Sequence, residues 1–109
     1  MSTNAMSEDG VMVNIDGTGN RVAAMVFGPK SVVVIAGINK VVKSYEDAVA
    51  RARNLAAPVN VQCKNSGHCC NCPAPDSICN FILTTRKGST MNAPAPRIKV
   101  ILVGECLGY

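Results

Sequence analysis

Five of the six cysteines fall in the seventeen residues from Cys63 to Cys79. Cys63, Cys69, Cys72 and Cys79 stand as C-x5-C-x2-C-x6-C. Two thiolates of a C-x2-C turn can face one tetrahedral ion, and four suit zinc or an iron–sulfur cluster. Gly67, Pro73 and Pro75 bend the chain around them, and His68 and Cys70 are alternative ligands. A redox C-x-x-C pair, disulfides in an oxidising compartment, and thiols packed as small apolar groups stay open beside the metal reading.

A second stretch with chemical potential is Asp16-Gly-Thr-Gly-Asn-Arg21. It lies where a strand feeds a helix, so backbone N–H groups there could converge on an anion. Gly17 and Gly19 would admit a ligand close to the backbone, and Arg21 would add a fork of donors. Val22 stands where a dinucleotide fingerprint has its third glycine, and no Lys-Ser or Lys-Thr pair follows, so neither nucleotide motif is complete. The bland reading is a tight turn without a ligand. Glu105, just past the last strand, could act as a base or nucleophile in a crevice at strand ends, or be a solvated turn residue.

The elements that must position these groups read as α/β. Val11–Ile15 is a short strand, and Val22–Phe27 is a short helix or a buried strand, with Ala23-Ala24-Met25 leaning helical. Ser31–Gly37 is a continuous β-branched run expected in a central, parallel-type strand. Ser44 and Asp47 form a capping-box start. The helix that follows is expected to bury Ala48, Ala52 and Leu55, turn Arg51 and Arg53 to solvent, and stop at Pro58. Phe81–Thr85 and Ile98–Val103 are strands, and nothing before Val11 reads as one. The expected architecture is a single domain over 1–109: a partial, open, mostly parallel sheet with flanking helices and a cysteine-rich connection at 60–80.

The chain has 109 residues, 48% of them hydrophobic and 17% charged, which excludes a disordered chain. Its net charge of +4 is scattered and only 4% of residues are aromatic, so nucleic-acid binding is not expected. The longest apolar runs, Val32–Ala36 and Val100–Val103, fall short of the roughly 20 residues that span a membrane. No signal peptide is legible, which points to the cytoplasm, where clustered thiols favour metal or redox chemistry.

Several ordered blocks carry a resemblance. They are Ser2–Gly10, Val13–Ala24, Phe27–Lys30, Val34–Lys40, Asn54–Pro58, the four spaced cysteines, Ile78–Asn80 and Val103–Tyr109. Together they resemble the C-terminal half of the LUD domain of the lactate utilization protein family, in its cysteine-containing branch. The resemblance implies a fragment of a longer domain, and a fold similar to the sugar-isomerase and CoA-transferase-like group. It implies a role in oxidising lactate or a related organic acid, alongside iron–sulfur partner proteins. Carried over by position, Thr3, Asn4, Asn14, Gly17, Gly19, Asn20, Arg21 and Glu105 become crevice residues for a small carboxylate or phosphorylated ligand. The alternative is a non-catalytic assembly or electron-transfer module holding a structural metal. Strand edges left open by a missing half would favour homo-oligomers.

Overall fold

The computed structural model describes residues 1–64, 79–86 and 96–109. The chain runs β1 (Ala5–Ser7), β2 (Met12–Asp16), α1 (Asn20–Val26), β3 (Val32–Gly37), a 3₁₀ turn (Ile38–Lys40) and β4 (Val41–Val42). It continues through α2 (Tyr45–Arg51), a π-helical step (Ala52–Ala56), α3 (Ala57–Lys64), β5 (Phe81–Thr85) and β6 (Ile98–Val103).

The expected α/β class is observed, but as two sheets instead of one mostly parallel sheet. Four strands pair in the order β4-β1-β2-β5, and β3 pairs with β6 in a second sheet. The β1–β2 and β2–β5 ladders are antiparallel, whereas β1–β4 and β3–β6 are parallel. The antiparallel start follows from the turn between Ser7 and Val11. Gly10 N–H donates to the Ser7 carbonyl at 2.9 Å, and Ser7 Oγ bonds the Asp9 carboxylate. A turn this short can join only antiparallel neighbours. β1 escaped the sequence reading because three residues are too few to display a period.

Two apolar clusters cover the two faces of the larger sheet. One joins Ala5, Val13 and Ile15 to the helical Ala48, Ala52 and Ala57. The other joins Met6 and Met12 to Met25 of α1 and to Val32 and Val34 of β3. The ambiguous Val22–Phe27 segment is helical as far as Val26, with Phe27 extended, and the helix buries Val22 and Met25. β3 is not buried on both faces as expected: Val33 and Ile35 are 42% and 47% exposed. Among the described strands β6 alone pairs with it, and Ile101 and Leu102 of β6 are about half exposed as well. The Met1 amino group donates to the Val33 carbonyl and the Met1 carbonyl accepts from Ile35 N–H, each at 2.8 Å.

The helical arm departs most from expectation. Ser44 caps it as foreseen, its Oγ accepting from Asp47 N–H at 3.1 Å. Pro58 does not stop it, for α3 carries Pro58 in its first turn. The π step widens the preceding turn, so that Ala57 N–H reaches back five residues to the Ala52 carbonyl. A widened turn relieves the clash of a proline ring with the carbonyl one turn back, and the missing N–H falls where the ladder changes register. The extra residue also rotates the buried stripe. Ala56 and Ala57 are buried, while Leu55, expected in the core, is 48% exposed.

A candidate anion-binding cleft

The cleft is built where the N-terminal residues, the Asp16–Arg21 turn and the C-terminal tail meet. Asp16 dominates the turn. Its carboxylate accepts from Thr18 N–H at 3.2 Å, Arg21 N–H at 2.9 Å and Val22 N–H at 3.2 Å. The backbone donors that the sequence offers to an external anion are thus taken by the chain's own anion. Burial raises the Asp16 pKa, but the N–H donors of Val22, Gly19, Arg21 and Thr18 outweigh it and hold the carboxyl below its usual 3.8. Gly19 closes the turn with φ +83°, and a side chain there would meet the Phe81 ring at 3.2 Å. Thr18 Oγ1 bonds Asn20 Oδ1 at 3.1 Å.

A depressed carboxyl pKa stabilises the fold above the unfolded value, and that contribution fades as pH falls through the folded value. Asp16→Ala is therefore expected to cost roughly 1–2 kcal/mol at neutral pH, the usual value of a lost helix cap. In strong acid, urea denaturation of the variant and the wild type should coincide at this site. An equal difference at both pH values would show that the carboxylate charge contributes nothing.

With the turn satisfied internally, the cations of the cleft are side chains. Arg21 uses Nη2 on Asn4 Oδ1 at 2.8 Å and the Ile15 carbonyl at 2.6 Å, and Nη1 on the Ser2 carbonyl at 3.5 Å. Of five guanidinium hydrogens, this leaves Nε–H and one on Nη1. Asn4 Oδ1 also accepts from Ile15 N–H at 2.9 Å, which fixes Asn4 against β2. Lys40 is 6% exposed and donates from Nζ to Ser2 Oγ at 3.0 Å. Burial, then the charges of Arg51 and Arg21, push its pKa below the usual 10.5. Arg51, expected in solvent, turns inward: Nε donates to the Asn39 carbonyl at 3.0 Å and Nη1 to the Asn4 carbonyl. Burial lowers its pKa too.

The tail forms the opposite wall. Ile38 N–H donates to the Glu105 carbonyl at 3.2 Å, and Leu107 N–H to Asn39 Oδ1 at 3.1 Å. Asn39 Nδ2 donates to the Gly108 carbonyl at 3.0 Å, and Tyr109 Oη to Asn60 Oδ1 at 3.2 Å. The tail crosses so closely over Gly37 that a Cβ there would lie 2.4 Å from Leu107 N. The cleft is partly open to solvent and measures about 570 Å³.

Of the residues singled out from sequence, Thr3, Asn4, Gly17, Asn20 and Arg21 line this cleft. Gly19 serves the turn. Asn14 is fully buried in β2, away from the cleft lining, and neither of its amide atoms has a hydrogen-bond partner among the described residues. Glu105 is exposed outside the lining and contributes its backbone carbonyl to the tail. Cys69 and Cys72 lie outside the described residues, as does the side chain of Cys63. Cys79 is half-buried against the cluster formed with α2 and the π step. Among the described residues, no three His, Cys, Asp or Glu side chains gather as metal ligands, and no helix is long and apolar enough to cross a membrane. The sequence reading missed Lys40, Ser2, Asn60 and Tyr109. The signal for Lys40 was present: a lone cation between Ile38 and Val41-Val42.

The fold and cleft define a mixed α/β domain with a cation-rich cleft. A model of the LUD domain family matches residues 1–103, and the chain belongs to that family, the lactate utilization group. No curated protein and no solved structure matches the chain.

Proposed function

We propose that the chain binds a small carboxylate or phosphorylated ligand in this cleft, in the oxidation of lactate or a related organic acid. The observation that carries the reading is Lys40. A buried ammonium beside Arg21 in the wall of the cleft lowers its energy by gaining an anion. The cleft volume of about 570 Å³ falls within the range of roughly 300–1,000 Å³ typical of small-molecule sites. It exceeds what lactate alone would fill, which keeps phosphorylated sugars and CoA, the ligand classes suggested by the sugar-isomerase and CoA-transferase resemblance, among the candidates.

Thermal denaturation with lactate, pyruvate, a sugar phosphate and CoA tests this. A true ligand at 100 times its Kd adds about 2.7 kcal/mol of stability. Neutral analogues such as the methyl ester of lactate should add none. Equal shifts from the ester and the acid, or no shift from any anion, would remove the reading. The accessory-module reading, with zinc or an iron–sulfur cluster on Cys63, Cys69, Cys72 and Cys79, rests on spacing alone. Metal content with a visible spectrum decides it, since metal-free protein with every thiol titratable is incompatible with such a site.

A further inference from the structure

We propose that Lys40 is a nucleophile that condenses with the carbonyl group of a 2-oxo acid whose carboxylate is held by Arg21. The proposal rests on the anion-binding reading of the cleft and names the ligand class. Its basis is the convergence of two groups on one residue. Lys40 Nζ bonds Ser2 Oγ at 3.0 Å, and Arg21 Nη1 lies 3.5 Å from the Ser2 carbonyl. An amine and a guanidinium brought so near each other suit a ligand bearing carbonyl and carboxylate on adjacent carbons. An isolated carboxylate would need only one of them.

The surroundings suit an amine that reacts. Lys40 is 6% exposed, its ammonium is desolvated, and Arg51 stands with Arg21 in its field. A buried lysine beside other cations carries more of the free amine at neutral pH, the form that attacks a carbonyl. Ser2 Oγ accepts from Nζ while its own proton goes to the Thr3 carbonyl at 3.4 Å; a neutral hydroxyl oxygen accepts from an ammonium or a neutral amine alike, so it does not lock Lys40 in its charged form. Gly108 packs beside the amine: a Cβ there would sit 3.4 Å from Nζ.

The step balances without a redox partner. The Nζ lone pair forms a bond to the carbonyl carbon while the carbonyl π electrons move to oxygen, which takes a proton. That proton comes, net, from Nζ, giving a neutral carbinolamine; as the carbon–oxygen bond breaks, the hydroxyl takes the second proton lost by Nζ and leaves as water. The product is an imine between Lys40 and the former carbonyl carbon, with the neighbouring carboxylate still paired to Arg21.

The test is reductive trapping on the full chain, with pyruvate as probe and cyanoborohydride as added reductant, read by peptide mass spectrometry. The expected result is one carboxyethyl group on Lys40, formed at least about tenfold faster than on the other five lysines. Lactate, which has the carboxylate but no carbonyl, should slow the labelling by competition. Lys40→Arg should show no selective label on any of the remaining lysines. If pyruvate and lactate both stabilise the protein but the label spreads evenly over all lysines, the imine is overturned and the anion site stands. If acetone labels Lys40 as fast as pyruvate does, the lysine is reactive but carboxylate recognition fails. Absence of both stabilisation and selective label overturns both.

Discussion

Lys40→Met is expected to stabilise the unliganded protein while weakening its hold on anions by about 10- to 100-fold. The affinity loss corresponds to one hydrogen bond to a charged group, roughly 1.5–3 kcal/mol. The gain in stability comes from removing a cation that folding places, 6% exposed, beside Arg51 and Arg21. Methionine has nearly the same length and needs no water, and replacing buried charge by an apolar isostere is often stabilising by 1 kcal/mol or more. For a domain of this size that corresponds to about 4–8 °C in Tm. The pH dependence follows. A lysine whose folded pKa lies below its unfolded 10.5 opposes folding while protonated. Between the two values the unfolded chain binds more protons, so wild-type stability should climb with pH through that window. The variant should lack this climb. A lower Tm for Lys40→Met at neutral pH would mean that the ammonium is held by groups that favour it, and the cleft would lose its reason to take an anion.

Arg97→Ala should destabilise the fold strongly although Arg97 lies outside the cleft. The Arg97 guanidinium donates to the carbonyls of Ala24 at 2.7 Å, Met25 at 2.6 Å and Pro29 at 2.7 Å. Ala24 and Met25 lie in the last turn of α1, which has no basic residue of its own there. Arg97 thus supplies in three dimensions the cation that helix C-termini usually carry in sequence. Its own carbonyl accepts from Val32 N–H at 2.9 Å, so the same residue opens the β3–β6 ladder. Truncation strands three carbonyls and is expected to cost about 2–3 kcal/mol, or roughly 10–20 °C in Tm. Arg97→Lys should recover little, because one ammonium cannot reach three carbonyls spread along a helix end. Circular dichroism melts of both variants check this, and a shift of only a degree or two for Arg97→Ala would refute it.

What was legible in the sequence was what local chemistry decides. Phe81–Thr85 and Ile98–Val103 are strands at the boundaries read from their β-branched composition, and Ser44 caps α2 as its spacing to Asp47 implies. The LUD resemblance was legible from ordered blocks, and five residues named from the turn or from that resemblance line the cleft. What was hidden depends on direction and distance. Arg51 and Lys40 look like surface cations in a string of letters, and only the fold turns them inward. The π step has no residue-type signature, so Pro58 gave a false stop and Leu55 a false core position. Asp16 was seen as a turn former but not as the occupant of the turn. An aspartate two residues before Thr18, ahead of a helix start, is the pattern of an Asx turn and could have shown it. The tail wall, with Gly108 and Tyr109, rests on hydrogen bonds to Asn39 and Asn60, about fifty to seventy positions away, which no local pattern encodes.

The central claim is that an organic anion binds between Arg21 and Lys40. Titration of ¹⁵N-labelled protein with pyruvate, followed by amide NMR, tests it most directly. The account predicts saturable shifts at Asn4, Thr18 and Arg21, at Lys40, and at Asn60 and Tyr109 across the cleft, with β6 unaffected. Saturable shifts confined to β3 and β6, or none at all, would contradict it.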